Sequence, residues 1–236
     1  MGYMIDGTHA EYVRTPFADT SLYPLPEGLN EEVAVFLSDV LPTSHEIGVQ
    51  YGNVKPGDTI AIIGTGPIGM GCLLTAQFYS PAQIIAVDMD DNRLAMAKEL
   101  GATHTINSAK EDAIQRILEI TDGRGVDCAM EAVGVEATWN ICQHVVKEGG
   151  HLANVGVHGK SVNFELNKLW IKNLTITTGL VNANTTGMLL KSCCAGKLPM
   201  ERLATHHFTF DQFEKAYEVF KHASDEKALK VIIDYS

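Results

Sequence analysis

In the middle of the chain, short continuous runs of apolar residues alternate with longer segments in which apolar positions recur with helical spacing. Continuous apolar runs are typical of strands that a parallel sheet buries on both faces. Together with the regular alternation, this pattern predicts six strands, at residues 59–63, 84–88, 104–107, 126–131, 151–155 and 174–178. The intervening segments predict helices, among them 91–100, 108–121, 135–146 and 165–172. This alternation indicates an α/β protein with a doubly wound, six-stranded parallel sheet.

Two local patterns fix the expected limits of these helices. Ser108 and Glu111 have the spacing of a capping box and predict the start of the helix that runs to residue 121. Gly149 and Gly150 are expected to end the helix at 135–146 before the fifth strand begins.

The two ends of the chain lack this regular alternation. Near the start, His9–Arg14 predicts a strand and Glu31–Val40 an apolar helix. Near the end, the pattern predicts a helix, a strand, an amphipathic helix and a strand, at 186–195, 205–210, 211–222 and 229–234. We therefore expect the flanks to be organised differently from the central sheet.

The turn after the first predicted strand carries a glycine pattern, G-T-G-P-I-G. Gly64 permits a tight strand-to-helix turn, Gly66 lets the backbone approach a pyrophosphate, and Gly69 lets the helix pack closely on the strand. Pro67 and Ile68 complete the backbone cradle at the start of the helix, where unpaired amides favour an anion. The alternative is a glycine-rich turn that only aids packing. Because strand, turn and helix follow in order, the pattern predicts a dinucleotide site.

Acidic residues after the second strand predict which dinucleotide binds. Asp88 is expected to accept hydrogen bonds from the adenosine ribose hydroxyls, which selects NAD over NADP. A 2′-phosphate would meet Asp88, Asp90 and Asp91, with only Arg93 as a nearby cation. Asp90 and Asp91 are also placed to cap the helix that follows.

Composition and charge narrow the possible partners. The formal net charge of −11 excludes a nucleic-acid or anionic-membrane partner in this interpretation, because phosphate backbones require a basic face. The segment 59–87 has no charged residue, but its glycines and prolines divide it into strand, turn, helix and strand, so no membrane span is expected. Five cysteines without a C-x-x-C pair indicate a reducing, cytoplasmic compartment.

Several segments resemble the zinc-dependent medium-chain alcohol dehydrogenases. They are 3–13 (YMIDGTHAEYV), 36–43 (FLSDVLPT), 55–59 (KPGDT), 131–134 (EAVG) and 149–157 (GGHLANVGV). The resemblance implies a two-domain enzyme in which a Rossmann domain is inserted into a GroES-like catalytic domain. It implies domain limits of 43–183 for the NAD-binding domain, with 1–42 and 184–236 as parts of an incomplete catalytic domain.

The resemblance also assigns roles to individual residues. It implies that Asp39 is a zinc ligand and that Thr43 lies near the nicotinamide, although Thr43 could equally cap a helix. It places cofactor contacts at the ends of the fourth and fifth strands, where the residues are Val133, Gly134, Val155, Gly156 and Val157. Turn formation alone remains the alternative for the two glycines.

The sequence departs from the family in its zinc ligands. The resemblance starts part-way through the family's catalytic domain, and the cysteine and histidine that bind catalytic zinc have no counterpart here. Zinc is therefore expected for the family, but with an incomplete site in this chain, since catalytic zinc takes three protein ligands. None of the nine histidines has the spacing of a metal site, and the role of His45 is open.

The sequence and the resemblance together predict an NAD-dependent oxidoreductase. The enzyme is expected to interconvert a primary or secondary alcohol with its aldehyde or ketone. Catalysis by this truncated chain is expected to be impaired. The alternative from another class is a non-catalytic NAD-binding module or a degraded gene product. A zinc-free quinone reductase is disfavoured because the segment around Asp39 matches the zinc-type branch. The edge segment 173–178 resembles the segment through which family members join their Rossmann sheets, and this resemblance implies a homo-oligomer. An unpaired edge of β-branched residues also invites such pairing.

Overall fold

Six strands pair in parallel in the computed structural model, which describes residues 4–235. They are β1 (Thr59–Ile63), β2 (Gln83–Asp88), β3 (His104–Asn107), β4 (Val126–Glu131), β5 (Val146–Asn154) and β6 (Thr175–Thr178). Their order in the sheet is β3-β2-β1-β4-β5-β6. This is the order of a doubly wound dinucleotide-binding sheet, so the predicted fold class is confirmed.

Helices connect the strands of the central sheet and also occur in both flanks of the described chain. They are α1 (Ala18–Ser21), α2 (Glu31–Val35), α3 (Val40–Thr43), α4 (Pro67–Ala76), α5 (Asp91–Glu99), α6 (Ala113–Ile120), α7 (Glu136–Val145), α8 (Leu166–Leu169), α9 (Thr186–Cys194) and α10 (Phe213–Lys221). A π-helix, Ser44–Gln50, continues α3 without a break. A second, two-stranded parallel sheet pairs β7 (Ala204–Thr209) with β8 (Lys230–Asp234).

The central sheet is buried on both faces. Successive residues of a strand point to opposite faces, so neighbouring residues pack in different apolar clusters. In β1, Ile60 and Ile62 belong to one apolar cluster, whereas Ala61 and Ile63 belong to the other. The second cluster contains residues of α6 and α7, such as Ile117 and Cys142. This is the arrangement that the continuous apolar run predicted.

The flanks pack on the face of the sheet that carries Ile60. Phe36 and Leu41 from the start of the chain, and Leu189 and Met200 from its end, are all buried in the same cluster as that isoleucine. The two ends of the chain are therefore joined to the sheet by one continuous core. Within residues 4–235, no helix is both long enough and apolar enough to cross a membrane.

Several predicted element limits are wrong. Helix α6 begins after Asp112, whose carboxylate accepts from the amides of Ile114 and Gln115, so the expected capping box at Ser108 and Glu111 does not form. Asp112 lies directly before the helix and accepts from its free amides in place of Ser108. Gly149 and Gly150 lie inside β5, at a shift in the β4–β5 register, and do not end α7.

The flank predictions fail in two further places. Residues 9–14 form no regular strand. The helix expected at 31–40 is interrupted at Asp39, whose φ of −153° is not helical, and the chain then resumes as α3 and the π-helix. Sequence periodicity did not indicate the π-helix, which is buried from Ser44 to Val49.

Candidate dinucleotide site

A glycine cradle joins β1 to α4 at the carboxyl edge of the sheet. Gly64 has φ +99°, and a Cβ atom there would lie 2.3 Å from Cγ2 of Val133. At Gly69, a Cβ atom would lie 1.9 Å from the carbonyl oxygen of Gly64. No atom lies within 4 Å of a Cβ built on Gly66. The outer glycines are thus required by the turn and by packing, whereas the middle one keeps space open for a ligand.

The first turn of α4 presents backbone donors to that space. Pro67 occupies the first helical position, which needs no amide hydrogen. The first amide with an intrahelical acceptor is that of Met70, which donates to the carbonyl oxygen of Gly66 at 2.9 Å. The amides of Ile68 and Gly69 precede it and remain available, and the first turn has no acidic residue. This arrangement favours an anion such as a pyrophosphate.

Asp88 lies at the end of β2, next to the cradle. Its Oδ2 accepts from the amide and the hydroxyl of Thr65, at 2.7 and 3.0 Å. Its Oδ1 accepts from the amides of Met89 and Asp90, at 2.8 and 3.0 Å. Four donors therefore fix the carboxylate in one orientation at the carboxyl edge, where the ribose was expected.

The neighbouring acids have structural partners of their own. Asp90 caps α5, since its carboxylate accepts from the amides of Asn92 and Arg93. Burial raises the pKa of Asp90, but hydrogen bonds from Ser224 and Asn92 outweigh this effect and lower it. The capping role predicted for Asp90 is confirmed.

Asp91 forms a different set of contacts. It accepts from Asn107 at 2.7 Å and pairs with Lys110 at 2.5 Å. The hydrogen bond from Lys110 lowers the pKa of Asp91. The expectation that Arg93 is the only cation near these acids is therefore wrong, because Lys110 also lies there. Lys110 comes from the loop after β3, and no sequence signal placed it beside α5.

Glu131 is a buried carboxylate that holds together the loops after β4 and β5. Its Oε1 accepts from the amides of Val133 and Gly134 and from the hydroxyl of Thr138, at 3.0, 2.9 and 2.6 Å. Its Oε2 lies 3.4 Å from Nε2 of His158. In the sequence, Glu131 stands out only as part of the segment 131–134, and no local pattern indicates this role.

The tight approach of these two loops explains their glycines. A Cβ atom on Gly156 would lie 2.3 Å from the Glu131 carboxylate, and one on Gly134 would lie 2.3 Å from the carbonyl oxygen of Val157. Because Glu131 already binds the amides of Val133 and Gly134, only their carbonyl oxygens and side chains remain for a cofactor. Close packing is therefore a role that these glycines have whether or not a cofactor is bound.

The valines predicted at this edge have different surroundings. Val155 is buried, and its amide donates to the carbonyl oxygen of Glu131 at 2.8 Å, so its side chain belongs to the core. Val157 is 90% exposed and Val133 is also exposed. Two apolar side chains thus remain uncovered at the carboxyl edge, where a planar ring could bury them.

Asp39 and Thr43 are in direct contact at the start of α3. The hydroxyl of Thr43 donates to Oδ1 of Asp39 at 2.9 Å. Thr43 has helical φ and ψ angles and forms no capping hydrogen bond, so the alternative role as a helix cap is wrong. Asp39 itself is exposed.

The described residues do not supply a zinc site. Within residues 4–235, no three His, Cys, Asp or Glu side chains lie close enough together to hold a metal ion. A single exposed carboxylate does not match the three protein ligands of catalytic zinc. The described residues alone therefore do not support a zinc-dependent chemical step.

His45 is buried beside the aromatic residues that follow α4. It is 1% exposed, its ring stacks on Tyr79 with centroids 6.0 Å apart, and it meets the edge of Phe78. Neither ring nitrogen has a hydrogen-bond partner in the described part of the chain. Burial lowers the pKa of His45, and the nearby charge of Glu46 opposes this only in part. His45 is therefore a neutral core residue in this fold.

The cradle, the acid at the end of β2 and the strand order are those of the dinucleotide-binding class of α/β proteins. The chain belongs to the zinc-binding dehydrogenase family, which it matches over residues 67–191. This family membership confirms the resemblance to zinc-type medium-chain alcohol dehydrogenases.

Named relatives agree with this assignment. An alcohol dehydrogenase of Cupriavidus necator is 34% identical over 98% of this chain, and the chain spans 64% of that relative's length. The zinc dependent alcohol dehydrogenase 2 from Streptococcus pneumonia, in its apo form, is 54% identical with a TM-score of 0.93, over 98% of this chain and 67% of that one. The alcohol dehydrogenase TADH from Thermus sp. ATN1 is 34% identical with a TM-score of 0.91, over 98% and 66%.

Proposed function

We propose that this chain binds NAD(H) and is the cofactor-binding part of an oxidoreductase that interconverts a primary or secondary alcohol with its aldehyde or ketone. The observation that carries this proposal is the open space over Gly66, next to the free amides of α4 and the fixed carboxylate of Asp88. Relatives named as alcohol dehydrogenases support the substrate class.

NAD rather than NADP is the proposed cofactor. Asp88 presents a carboxylate where the adenosine ribose binds, and a 2′-phosphate there would meet like charge. The hydrogen bonds to Asp90 and Asp91 keep both of these acids ionised, and Lys110 is already paired with Asp91. The local charge therefore favours an unphosphorylated ribose.

In the proposed complex, this chain's residues bind and orient the cofactor. The amides of Ile68 and Gly69 bind the pyrophosphate, and Asp88 accepts from the ribose hydroxyls. The exposed side chains of Val133 and Val157 are then covered by the cofactor. When bound, the nicotinamide ring supplies the hydride acceptor or donor. Thr43 is the proposed polar residue nearest to the reacting groups.

Zinc remains a proposal for the family's reaction, with Asp39 as the one ligand that this chain would contribute. The other ligands would have to come from outside residues 4–235, so we propose that alcohol turnover by this chain alone is severely impaired. The second candidate is a non-catalytic NAD-binding module, because Asp39 alone does not match the three protein ligands of catalytic zinc. Near-stoichiometric zinc would favour the enzyme, whereas NADH binding without zinc or turnover would favour the module.

The proposed assembly is a homo-oligomer joined through β6. This strand lies at the edge of the sheet, and apolar residues just before it and within it are exposed: Trp170 by 69%, and also Ile171 and Ile176. An unpaired strand edge with apolar neighbours invites pairing with a second copy.

The remaining parts of the proposal are the domain limits and the compartment. The division into 1–42, 43–183 and 184–236 is supported by the position of the sheet, which runs from Thr59 to Thr178. The cytoplasm is supported by the five cysteines, all of which lie in the described part of the chain and are free thiols.

Titration of the chain with NADH, followed by cofactor fluorescence, tests the proposed function. A saturable enhancement that excess ADP-ribose reverses is expected, because both molecules share the adenosine and pyrophosphate groups. No enhancement and no heat of binding on folded protein would overturn the proposal. Zinc content measured on the same sample then separates the enzyme from the non-catalytic module.

A further inference from the structure

The π-helix carries a second carboxylate whose bonds the dinucleotide cradle does not explain. Glu46 is 6% exposed, yet its carboxylate forms no ion pair within residues 4–235 and is bound by four neutral donors instead. Its Oε2 accepts from the amides of Asn182 and Ala183, at 3.0 and 3.1 Å. Its Oε1 accepts from the amide and the hydroxyl of Thr185, at 2.9 and 2.8 Å. All four donors belong to the segment 179–185, which connects β6 to α9 and is called the β6–α9 loop below.

The β6–α9 loop begins at the part of the carboxyl edge where the nicotinamide half of a dinucleotide is expected to bind. Parallel strands end at one edge, and Asp88, at the end of β2, marks the adenosine half of that edge. The strands β4, β5 and β6 lie on the other side of β1, so their loops take the nicotinamide half. Leu180, the second residue after β6, is 87% exposed at this edge.

The loop also contains backbone strain that a fixed support must hold. Ala183 has φ +56°, in the left-handed region that residues with a Cβ atom disfavour. Such a conformation persists only where surrounding contacts determine it. The bond from its amide to Glu46, flanked by bonds from Asn182 and Thr185, supplies those contacts.

The support itself belongs to the same helical segment as Thr43, and this segment begins directly after Asp39. Glu46 lies three residues after Thr43, in the helix that continues α3. Close packing fixes this segment, since a Cβ on Gly48 would lie 2.5 Å from Sγ of Cys72 in α4. The β6–α9 loop is therefore tied, through one carboxylate, to the segment that carries the proposed reacting side of the site.

We propose that Glu46 is a positioning residue that holds the β6–α9 loop so that Leu180 lies over the nicotinamide half of the cofactor. This inference rests on the proposed NAD(H) binding. It assigns to Glu46 no contact with the cofactor and no chemical step. Its effect is selective, because the adenosine half is held by a different set of residues around Asp88 and Gly66.

The test compares two ligands that differ in the nicotinamide. NADH carries the ring and ADP-ribose lacks it, so Glu46→Gln is expected to weaken NADH at least tenfold while ADP-ribose affinity stays within twofold. Thr185→Val, which removes one of the four bonds and keeps the backbone amide, is expected to weaken NADH about threefold with the same selectivity. Thermal melts of each variant establish that it is folded.

Each outcome of this experiment either supports or overturns the positioning role of Glu46. An equal loss for both ligands would show a merely structural role, and unchanged NADH affinity would show no role, so either result overturns the inference. If Glu46→Gln does not fold, Thr185→Val decides by the same criterion. If the unaltered chain binds neither ligand, the proposed function itself has failed. If it binds both, only the inference about Glu46 is at stake.

Discussion

Thr65 donates two hydrogen bonds to the same carboxylate oxygen of Asp88, from its amide at 2.7 Å and from its hydroxyl at 3.0 Å. Thr65 is fully buried and follows the first glycine of the cradle. The two bonds join the end of β1 to the end of β2, so the cradle and the proposed ribose acceptor form one rigid unit. The carboxylate is thus oriented before any cofactor arrives.

Substitution of Thr65 by valine should weaken the orientation of Asp88. Thr65→Val removes the hydroxyl bond but keeps the amide bond, and is expected to lower NADH affinity by about 1 kcal/mol, or about fivefold. Fluorescence titration measures the affinity. Thr75→Val is the matched control, because Thr75 is also buried but bonds only to Gly71 within α4. Equal affinities for the two variants would contradict the role given to Thr65.

Two of the cradle glycines, Gly66 and Gly69, should respond differently to alanine. Gly66→Ala has room for its Cβ, so the free energy of unfolding should change by less than about 0.5 kcal/mol, while NADH affinity falls at least about tenfold. Gly69→Ala forces a Cβ against the carbonyl oxygen of Gly64 and should destabilise the fold by about 1–3 kcal/mol. Urea unfolding and NADH titration on both variants check this contrast. A Gly66→Ala protein that binds NADH normally would show that no ligand uses the open space.

The α/β core and the dinucleotide cradle could be predicted from the sequence because their signals are local. Strands β1, β3 and β4 have the predicted limits. In β1, a nearly continuous apolar run bounded by turn residues reports burial directly. The glycine pattern and Asp88 lie within one β-α-β unit, and their spacing is set by that unit alone. The confirmed capping role of Asp90 is equally local.

The rest of the site depends on contacts between distant parts of the chain. Lys110 reaches Asp91 only because β3 lies beside β2, and Glu46 reaches Thr185 across more than half of the chain. Neither pairing leaves a periodic trace in the sequence. The failed strand at residues 9–14 has the same origin, because β-branched and aromatic residues do not form a strand without a partner strand.

The buried imidazole of His45 predicts acid-sensitive stability. Burial lowers the pKa of His45 in the folded protein below its ordinary value near 6.5, so the unfolded chain takes up a proton that the folded chain does not. Stability should therefore fall as the pH drops below about 6.5 towards the lowered pKa, by up to about 1.4 kcal/mol per pH unit.

His45→Phe isolates this contribution, because phenylalanine keeps the ring contacts with Phe78 and Tyr79 but cannot bind a proton. Urea unfolding of both proteins at pH 7.5 and pH 5.5 is the measurement. The variant should lose less stability on acidification than the unaltered protein. Identical losses would mean that His45 takes up its proton in the folded state as readily as in the unfolded one.

Zinc should not bind tightly to this chain by itself. Asp39 is an exposed single carboxylate, and tight zinc binding takes three or four protein ligands. After loading with zinc and dialysis, metal analysis should find far less than one zinc per chain, and 2-propanol oxidation with NAD should be close to background. One tightly held zinc that Asp39→Ala removes, together with turnover, would contradict this expectation.

The most direct measurement is calorimetric titration of the folded chain and of Asp88→Ala with NADH and NADPH. The cradle and the fixed carboxylate predict that the unaltered chain binds NADH at least about tenfold more tightly than NADPH, and that Asp88→Ala loses most of this preference together with NADH affinity. The absence of any heat with NADH, or an Asp88→Ala variant with unchanged NADH affinity, would contradict the assignment of residues 64–69 and Asp88 as a site for NAD.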